Sequence, residues 1–424
     1  MRSTLRVDAV ALIATSGLTA LSGIAFWAMA ARWLSPDELG VQSALLSLAT
    51  TTGALAAAGT ANALTAIVPT INGSCRPAIV RYGWFVVLTL ALALGAIVAA
   101  MGSVALADDT DWKVTSAVVL FGAPVMAAFA LKDAVCTSLS GAAALVPLNF
   151  GAVMVKSVLL VIGVVAVWSL PVVLATFVSS LLGVAGGWWV ASRLLRAHRT
   201  ARGAREWSRS GFISFSLRDG AATAVTMGAV LSIPFLTTWL AGSRDGAEIG
   251  MMLPIAQGVD LITVGIASAL TKHLAETSSV AVVRRATVVT GGVGLVAAVA
   301  IAGVLGPIII AVVGDQYDAE RLQLILVVLC IGGAARSAYV IWAGVVRAQL
   351  KPEVLLRTNL VAAVLVWPPM VWATWAFGSL GAAVGLSAGS VLMGAAGGVG
   401  IRRIVAREYF GPSPTERPAR EGIA

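Results

Sequence analysis

Seven ionisable side chains lie within or at the edges of long apolar stretches of this sequence: Lys132, Asp133, Lys156, Arg218, Asp219, Asp260 and Arg336. An ionised group at the centre of a bilayer costs on the order of 3 kcal/mol or more, so each needs a cleft or a partner. Lys156, Lys132 and Arg336 are the deep cations. Turned towards one cleft, they would receive an anionic head group such as a pyrophosphate through charge-assisted hydrogen bonds, the lysines as point charges and the arginine as a planar fork. Asp260 lies halfway along an apolar segment with no cation beside it in sequence, which makes it the leading candidate for coupling to a cation or a proton, with Asp133 second. Lys132 and Asp133 point about 100° apart on a helix, so they are not expected to face the same side. Arg218 is placed to snorkel to the surface, and Asp219, like Asp8, falls in a first turn where a carboxylate complements the helix dipole.

The elements that carry these groups are membrane spans. The chain has 424 residues, 58% of them apolar and only 12% charged, with a mean hydropathy of +0.92. No Asp, Glu, Lys or Arg occurs from Tyr82 to Ala107, Ser157 to Ser192, Ala286 to Gly314 or Thr358 to Ile401. A span needs roughly 20 apolar residues, so the second and fourth of these runs each hold two. Backbone groups in hydrocarbon need partners within their own segment, which dictates helix. The expected spans are Val10–Ala31, Gly40–Pro69, Tyr82–Ala107, Val114–Leu139, Leu148–Trp168, Val172–Leu195, Gly211–Leu240, Ile249–Leu270, Val288–Val313, Leu322–Val346, Leu360–Phe377 and Leu380–Ile401. The fold class is therefore an all-α polytopic membrane protein of about 12 transmembrane helices.

The net charge of +9 is a topology signal rather than a nucleic-acid footprint. With the N-terminus inside, the cytoplasmic segments collect most of the basic residues, including Arg193, Arg196, Arg199, Arg202, Arg205 and Arg209, while Asp108, Asp109, Asp111, Asp315, Asp318 and Glu320 fall in outer loops. Both termini are then cytoplasmic, and the protein is expected as a multi-pass protein of the cytoplasmic (inner) membrane, with membrane lipids as partners; a surplus role of the Arg193–Arg209 segment on anionic head groups ranks below its role in topology. Cys75, Cys136 and Cys330 fit no metal or redox spacing, and His198 and His273 fall in expected loops. Asp109-Thr110-Asp111 has the D-x-D form that can hold a metal-bound phosphate, yet it sits in one short acidic loop without a soluble domain. No nucleophile, paired acid and base or metal cluster is recognisable, so no enzyme is expected.

The two halves echo each other. Asp8, Thr15 and Gly17 recur 211 residues later as Asp219, Thr226 and Gly228, and Glu38-Leu39-Gly40 recurs after 210 as Glu248-Ile249-Gly250. Lys132 corresponds to Arg336 and Pro147 to Pro352, at shifts of 204 and 205. A parallel repeat implies two six-helix bundles related by an axis along the membrane normal, with a substrate path between them. The organisation expected is an N-terminal bundle (1–192), a basic cytoplasmic linker (193–210), a C-terminal bundle (211–405) and a disordered tail (406–424).

Ala31-Arg32-Trp33-Leu34-Ser35-Pro36-Asp37-Glu38-Leu39-Gly40 resembles the first-loop pattern A-R-x-L-(G/S)-P-x-x-(F/L/Y)-G of Wzx-type polysaccharide flippases. Gly314-Asp315-Gln316-Tyr317 and Val346-Arg347-Ala348-Gln349-Leu350-Lys351-Pro352 are similar to stretches flanking helix ten of the same group. These belong to the multidrug/oligosaccharidyl-lipid/polysaccharide (MOP) exporter superfamily, and the resemblance spans roughly residues 1–405. It implies a flippase that moves polyprenyl-pyrophosphate-linked oligosaccharide across the membrane by alternating access, for cell-surface polysaccharide biosynthesis. Lys156, Lys132, Arg336 and Arg32 would line its cationic cavity. No bound cofactor is implied, Na⁺, H⁺ or the membrane potential would drive the cycle, and glycosyltransferases or a polymerase of the pathway would be partners. The alternatives are a MATE-like drug/cation antiporter, a lipid II flippase of the MurJ type, which normally has fourteen spans, and, further off, a membrane-integrated polymerase or glycosyltransferase.

Overall fold

The computed structural model describes residues 23–139, 141–197, 208–277, 280–313, 316–348 and 352–409. Asp8, Thr15, Gly17, His198, the centre of the basic linker, Gly314-Asp315, Gln349-Leu350-Lys351 and the tail from 410 lie outside them. The described chain is helical: α1 (residues 23–33), α2 (Pro36–Ile67), α3 (Arg76–Ala105), α4 (Trp112–Ser138), α5 (Ala142–Val165), α6 (Pro171–Ala197), α7 (Arg209–Ala241) and α8 (Ser243–Thr277). α9 starts as Val280–Ala300, passes a π turn at Ile301–Leu305 and continues over Gly306–Val313, and α10 is Ala319–Ala348. The final stretch, Pro352–Tyr409, doubles back at Gly378 (φ 63°, ψ −138°), giving limbs α11 (352–377) and α12 (379–409). Ten helices among the described residues are long and apolar enough to cross a membrane. Phe85, Leu92, Ile97 and Met101 on α3, Val288, Leu295 and Val299 on α9, and Val361, Val364 and Leu365 on α11 are all exposed. Such an apolar exterior is stable in hydrocarbon rather than in water. The chain is built as a multi-pass membrane protein.

Several helices start earlier than expected, at Arg76, Ala142, Val280 and Pro352 among them, and at two other starts the cause is local. α2 begins at Pro36 rather than Gly40 because Ser35 caps it. The Ser35 hydroxyl accepts from the Glu38 N–H at 3.3 Å, and the Ser35 N–H donates to Glu38 Oε2 at 3.0 Å. Proline in the first turn and acids at 37 and 38 complete a capping box. The Ser35-Pro36-Asp37-Glu38 motif is thus a helix start. α8 begins at Ser243 rather than Ile249, since Gly242 (φ 96°) alone makes the turn from α7. Arg244, expected in an outer loop, therefore sits in the first turn of α8.

The two halves meet along α2, which packs on α7 and on the first turns of α8. A Cβ on Gly59 would lie 1.9 Å from the Ser216 carbonyl oxygen, and one on Gly40 would lie 1.8 Å from that of Ser243. Backbone therefore rests on backbone at both places. A Cβ on Gly250, the counterpart of Gly40 in the sequence echo, would lie 1.9 Å from the Ser43 side-chain oxygen, so the E-L-G and E-I-G segments both mark this seam. Hydrogen bonds cross it from Ser47 Oγ to the Leu231 carbonyl and from Asn62 Nδ2 to Asp219 Oδ2. Ser243 Oγ donates to Asp37 Oδ1 at 2.6 Å.

The cores are arranged unequally along the seam. At the end that holds the turns at Ser35, Gly242 and Gly378, one continuous core joins both halves through Leu39, Leu45, Met251, Met252, Ile255 and Leu326. At the opposite, arginine-rich end there are two cores. One holds Leu64, Ile79, Leu131 and Leu139, and the other Tyr339, Ile341, Trp342 and Leu355.

Gly59→Ala is expected to destabilise by about 1–3 kcal/mol, since overpacked backbone has nowhere to go. Gly291→Ala, where an added Cβ meets nothing within 4 Å, is expected to stabilise by up to about 1 kcal/mol. Thermal melting of both purified variants in detergent checks the contrast.

Candidate functional site

Asp260 on α8 and Arg336 on α10 stand at matching depth, each about 25 Å along its helix at 1.5 Å per residue. α8 bears Pro254 inside its helix. Arg336 Nη1 donates to Asp260 Oδ2 at 3.3 Å, and the arginine side chain is 8% exposed. The contact is single. Asp260 Oδ1 and Arg336 Nε are both buried with no hydrogen-bond partner, so the pair lacks the fork-to-fork geometry that an arginine and a carboxylate favour.

Two cavities meet at Arg336, and one of them also takes in Asp260. That one is walled by Gln257, Asp260, Gly333, Arg336, Ser387 and Ser390. The other holds Val225, Ala229, Arg336, Asn359, Trp367 and Met370 among its lining. Asn359 is locked in place: the Tyr339 hydroxyl donates to its Oδ1 at 2.5 Å, and its own Nδ2 donates to the Ala222 carbonyl at 2.7 Å. Ser387 is anchored on the Val328 carbonyl at 2.8 Å.

The other candidates lie elsewhere. Lys132 is buried within the first half, where Nζ donates to Asp133 Oδ1 at 2.5 Å and to Asn149 Oδ1 at 2.8 Å and sits 3.9 Å from the centre of the Phe129 ring. The expectation that Lys132 and Asp133 face different sides fails, because the lysine's four-carbon stem swings the ammonium round to the neighbouring carboxylate. Room for the stem comes from Gly187, where a Cβ would lie 2.9 Å from Lys132 Cδ. Lys156 on α5 points at α1, with Nζ 3.8 Å from the Phe26 ring centre and 6.0 Å from that of Trp27. No carboxylate among the described residues is paired with it. Arg32 is exposed at the end of α1. The three deep cations therefore do not share one cavity between the bundles: Lys132 and Lys156 belong to the first half, and the two cavities and Arg336 to the second.

Sequence reasoning missed the uncharged members, Gln257, Tyr339, Asn359, Ser387 and Ser390. Asn359 was the most detectable, as an amide in the charge-free run that starts at Thr358. A network at the short-turn end was also missed. Arg321 pairs with Asp245 and, at 3.0 Å, with Glu248, while the Ser379 N–H donates to Asp245 Oδ1 at 2.7 Å and its hydroxyl to Glu248 Oε2 at 2.5 Å. In the acidic loop before α4, burial and the neighbouring carboxylates of Asp108 and Asp37 raise the carboxyl pKa of Asp109. Among the described residues no group of three His, Cys, Asp or Glu side chains is placed to hold a metal.

No family model and no curated relative matches the chain, but solved structures do. The fold is that of MATE transporters. The eukaryotic MATE transporter AtDTX14 superposes with a TM-score of 0.69 at 16% identity, covering 96% of this chain and 98% of that one. An inward-facing multidrug resistance MATE family transporter of the MOP superfamily gives 0.64 at 13% identity, over 95% and 100%. The bent form of the Vibrio cholerae MATE transporter VcmN gives 0.57 at 14%, over 96% and 100%. The MATE fold thus accounts for nearly the whole chain, and one of these structures carries the superfamily name to which the loop motifs point.

Asp133→Asn removes the charge partner of Lys132 and is expected to destabilise by about 1–2 kcal/mol, less than for a fully buried pair because the Asp133 side chain is 38% exposed. Lys132→Met, which keeps the packing and removes the charge, is expected to cost clearly less. Thermal unfolding of the two variants in detergent decides this.

Proposed function

We propose that the protein is an ion-coupled exporter of an organic solute, of the MATE kind, with Asp260 and Arg336 as its switchable pair. The observation that carries this reading is the buried, unpartnered Asp260 Oδ1, facing a polar cavity at mid-helix. A proton or Na⁺ arriving there neutralises the carboxylate and frees Arg336. Loss of that ion restores the pair. Intramembrane carboxylates placed in this way mark ion pathways.

The fold supports the same reading in two ways. It is shared with MATE transporters over about the full length of each chain. The buried cores differ between the two ends, one continuous core at one and two at the other, while α2 and α7 stay in contact, an asymmetry compatible with alternating access. With the arginine-rich end cytoplasmic by the positive-inside rule, the single core lies on the outer side. Twelve spans follow when α1 and both limbs about Gly378 cross the cell membrane.

A second reading has one observation in its favour. Lys156, held over Phe26 without a carboxylate among the described residues, is a cation available to the pyrophosphate of a lipid-linked oligosaccharide.

In proteoliposomes, an imposed proton or Na⁺ gradient is expected to drive uptake of either a cationic dye (ethidium) or an anionic one (dansylglycine). Asp260→Asn is expected to lower that uptake at least about tenfold. Absence of gradient-driven uptake for both dyes, or uptake indifferent to Asp260→Asn, defeats the proposal. Flipping of a fluorescent polyprenyl-pyrophosphate sugar that is lost in Lys156→Ala establishes the second reading instead.

A further inference from the structure

The arginine-rich end of the first half carries a surface that the exporter reading does not use. Arg76 and Arg81 lie in the first two turns of α3, and Arg193 and Arg196 in the last two turns of α6. Neither helix contains an aspartate or a glutamate. The two helices touch through Trp84 and Trp188, whose ring centres lie 5.9 Å apart at 83°. From the second half, Arg209 at the start of α7 stands 5.8 Å from the Tyr82 ring centre, and Phe212 packs edge-on against the same ring at 6.0 Å. Arg81, Arg193, Arg196 and Arg209 are exposed, as are Trp188 and Trp189.

The arginines here are oriented rather than neutralised. The Arg193 guanidinium stacks on Trp189, with Cζ 3.8 Å from the ring centre, which uses its flat face and leaves its N–H edge for a planar acceptor. Arg81 Nε donates to the Pro77 carbonyl at 3.4 Å and Arg196 Nε to that of Ser192 at 3.2 Å. Each guanidinium is thereby tied to its own helix, with its Nη groups left for another acceptor. Among the described residues no carboxylate pairs with Arg81, Arg193, Arg196 or Arg209, although Arg218 at the same end has Glu353 at 3.3 Å. Topology asks for positive charge at this end. It does not ask for that charge to be stacked on tryptophan.

On both helices an arginine lies about one turn nearer the surface than a tryptophan, Arg81 before Trp84 and Arg193 after Trp189. Phosphate and glycerol ester follow the same order in a phospholipid. Deeper still, Phe85, Leu88 and Leu92 on α3 and Leu181 and Leu182 on α6 are exposed, an apolar bed for acyl chains. We propose that this α3–α6 face binds an anionic phospholipid, with its phosphodiester on Arg81 and Arg193 and its glycerol esters at the level of the tryptophans. A zwitterionic lipid brings its own cation to the same arginines and is held less well.

The test is native mass spectrometry of the purified full chain in detergent, incubated with phosphatidylglycerol or with phosphatidylcholine of the same acyl chains. Phosphatidylglycerol is expected to be retained about tenfold more strongly, the value of one to two arginine contacts at a membrane surface. Arg81→Gln combined with Arg193→Gln should remove that preference. Arg402→Gln combined with Arg403→Gln, which removes equal charge from exposed positions on α12, should leave it. Trp189→Ala keeps every charge and should weaken phosphatidylglycerol severalfold, because Arg193 loses its support. Equal retention of the two lipids overturns the proposal. So does an equal loss in both double variants, or an unchanged preference in Trp189→Ala, since diffuse positive charge gives either result. Excess glycerol 3-phosphate at matched ionic strength should leave the lipid bound, and displacement by it overturns the assignment in favour of a free anion. Should Trp189→Ala fail to fold, the two double variants, altered only at exposed arginines, decide the matter. The measurement involves no transport, so its failure leaves the exporter reading untouched.

Discussion

Backbone contact of α2 with α7 and with the start of α8 is the constraint from which the rest of the arrangement follows. Gly59 against Ser216 and Gly40 against Ser243 bring the two halves closer than side chains would permit. Without a hydrophobic driving force between helices in lipid, such close packing and the few hydrogen bonds beside it hold a bundle together. Because the seam is narrow, other helices can gather on either side of it in different ways. At the short-turn end they merge into one core, and at the arginine-rich end they remain two.

The same economy governs the buried charges. The deep cations Lys132 and Arg336 are each held within their own half, Lys132 by Asp133 and Asn149 in the first and Arg336 by Asp260 in the second. The two solutions differ in completeness. Lys132 has two close acceptors and an aromatic face, so its ammonium is fully engaged. Arg336 and Asp260 each keep an unmet position beside open space. Positions equivalent in the internal repeat have thus diverged, one towards a strut and the other towards a site.

The helices and the depth of the charged groups were legible in the sequence because they depend on local periodicity and on where charge is absent. The α8 start was not, since Gly242 allows a one-residue turn that hydropathy does not register. Nor was the Lys132–Asp133 pair, because helical phase describes where Cβ atoms point and not where a long flexible stem ends. Asp260 and Arg336 were both singled out, but their meeting depends on α8 packing against α10, a tertiary fact. The capping box at Ser35 shows the opposite case, in which a motif chosen for its family resemblance proves to have a local structural cause.

The reversal at Gly378 has a consequence for how the chain is made. Its φ of 63° leaves space that Asp245 fills, and a Cβ there would lie 2.2 Å from Asp245 Oδ1. That carboxylate also holds the Ser379 N–H and pairs with Arg321. Residues made earlier, in α8 and α10, therefore wait for a turn that leaves the ribosome after them. A nascent chain halted before that turn carries an incomplete acidic cluster at the membrane surface, a local defect by which unfinished copies differ from finished ones.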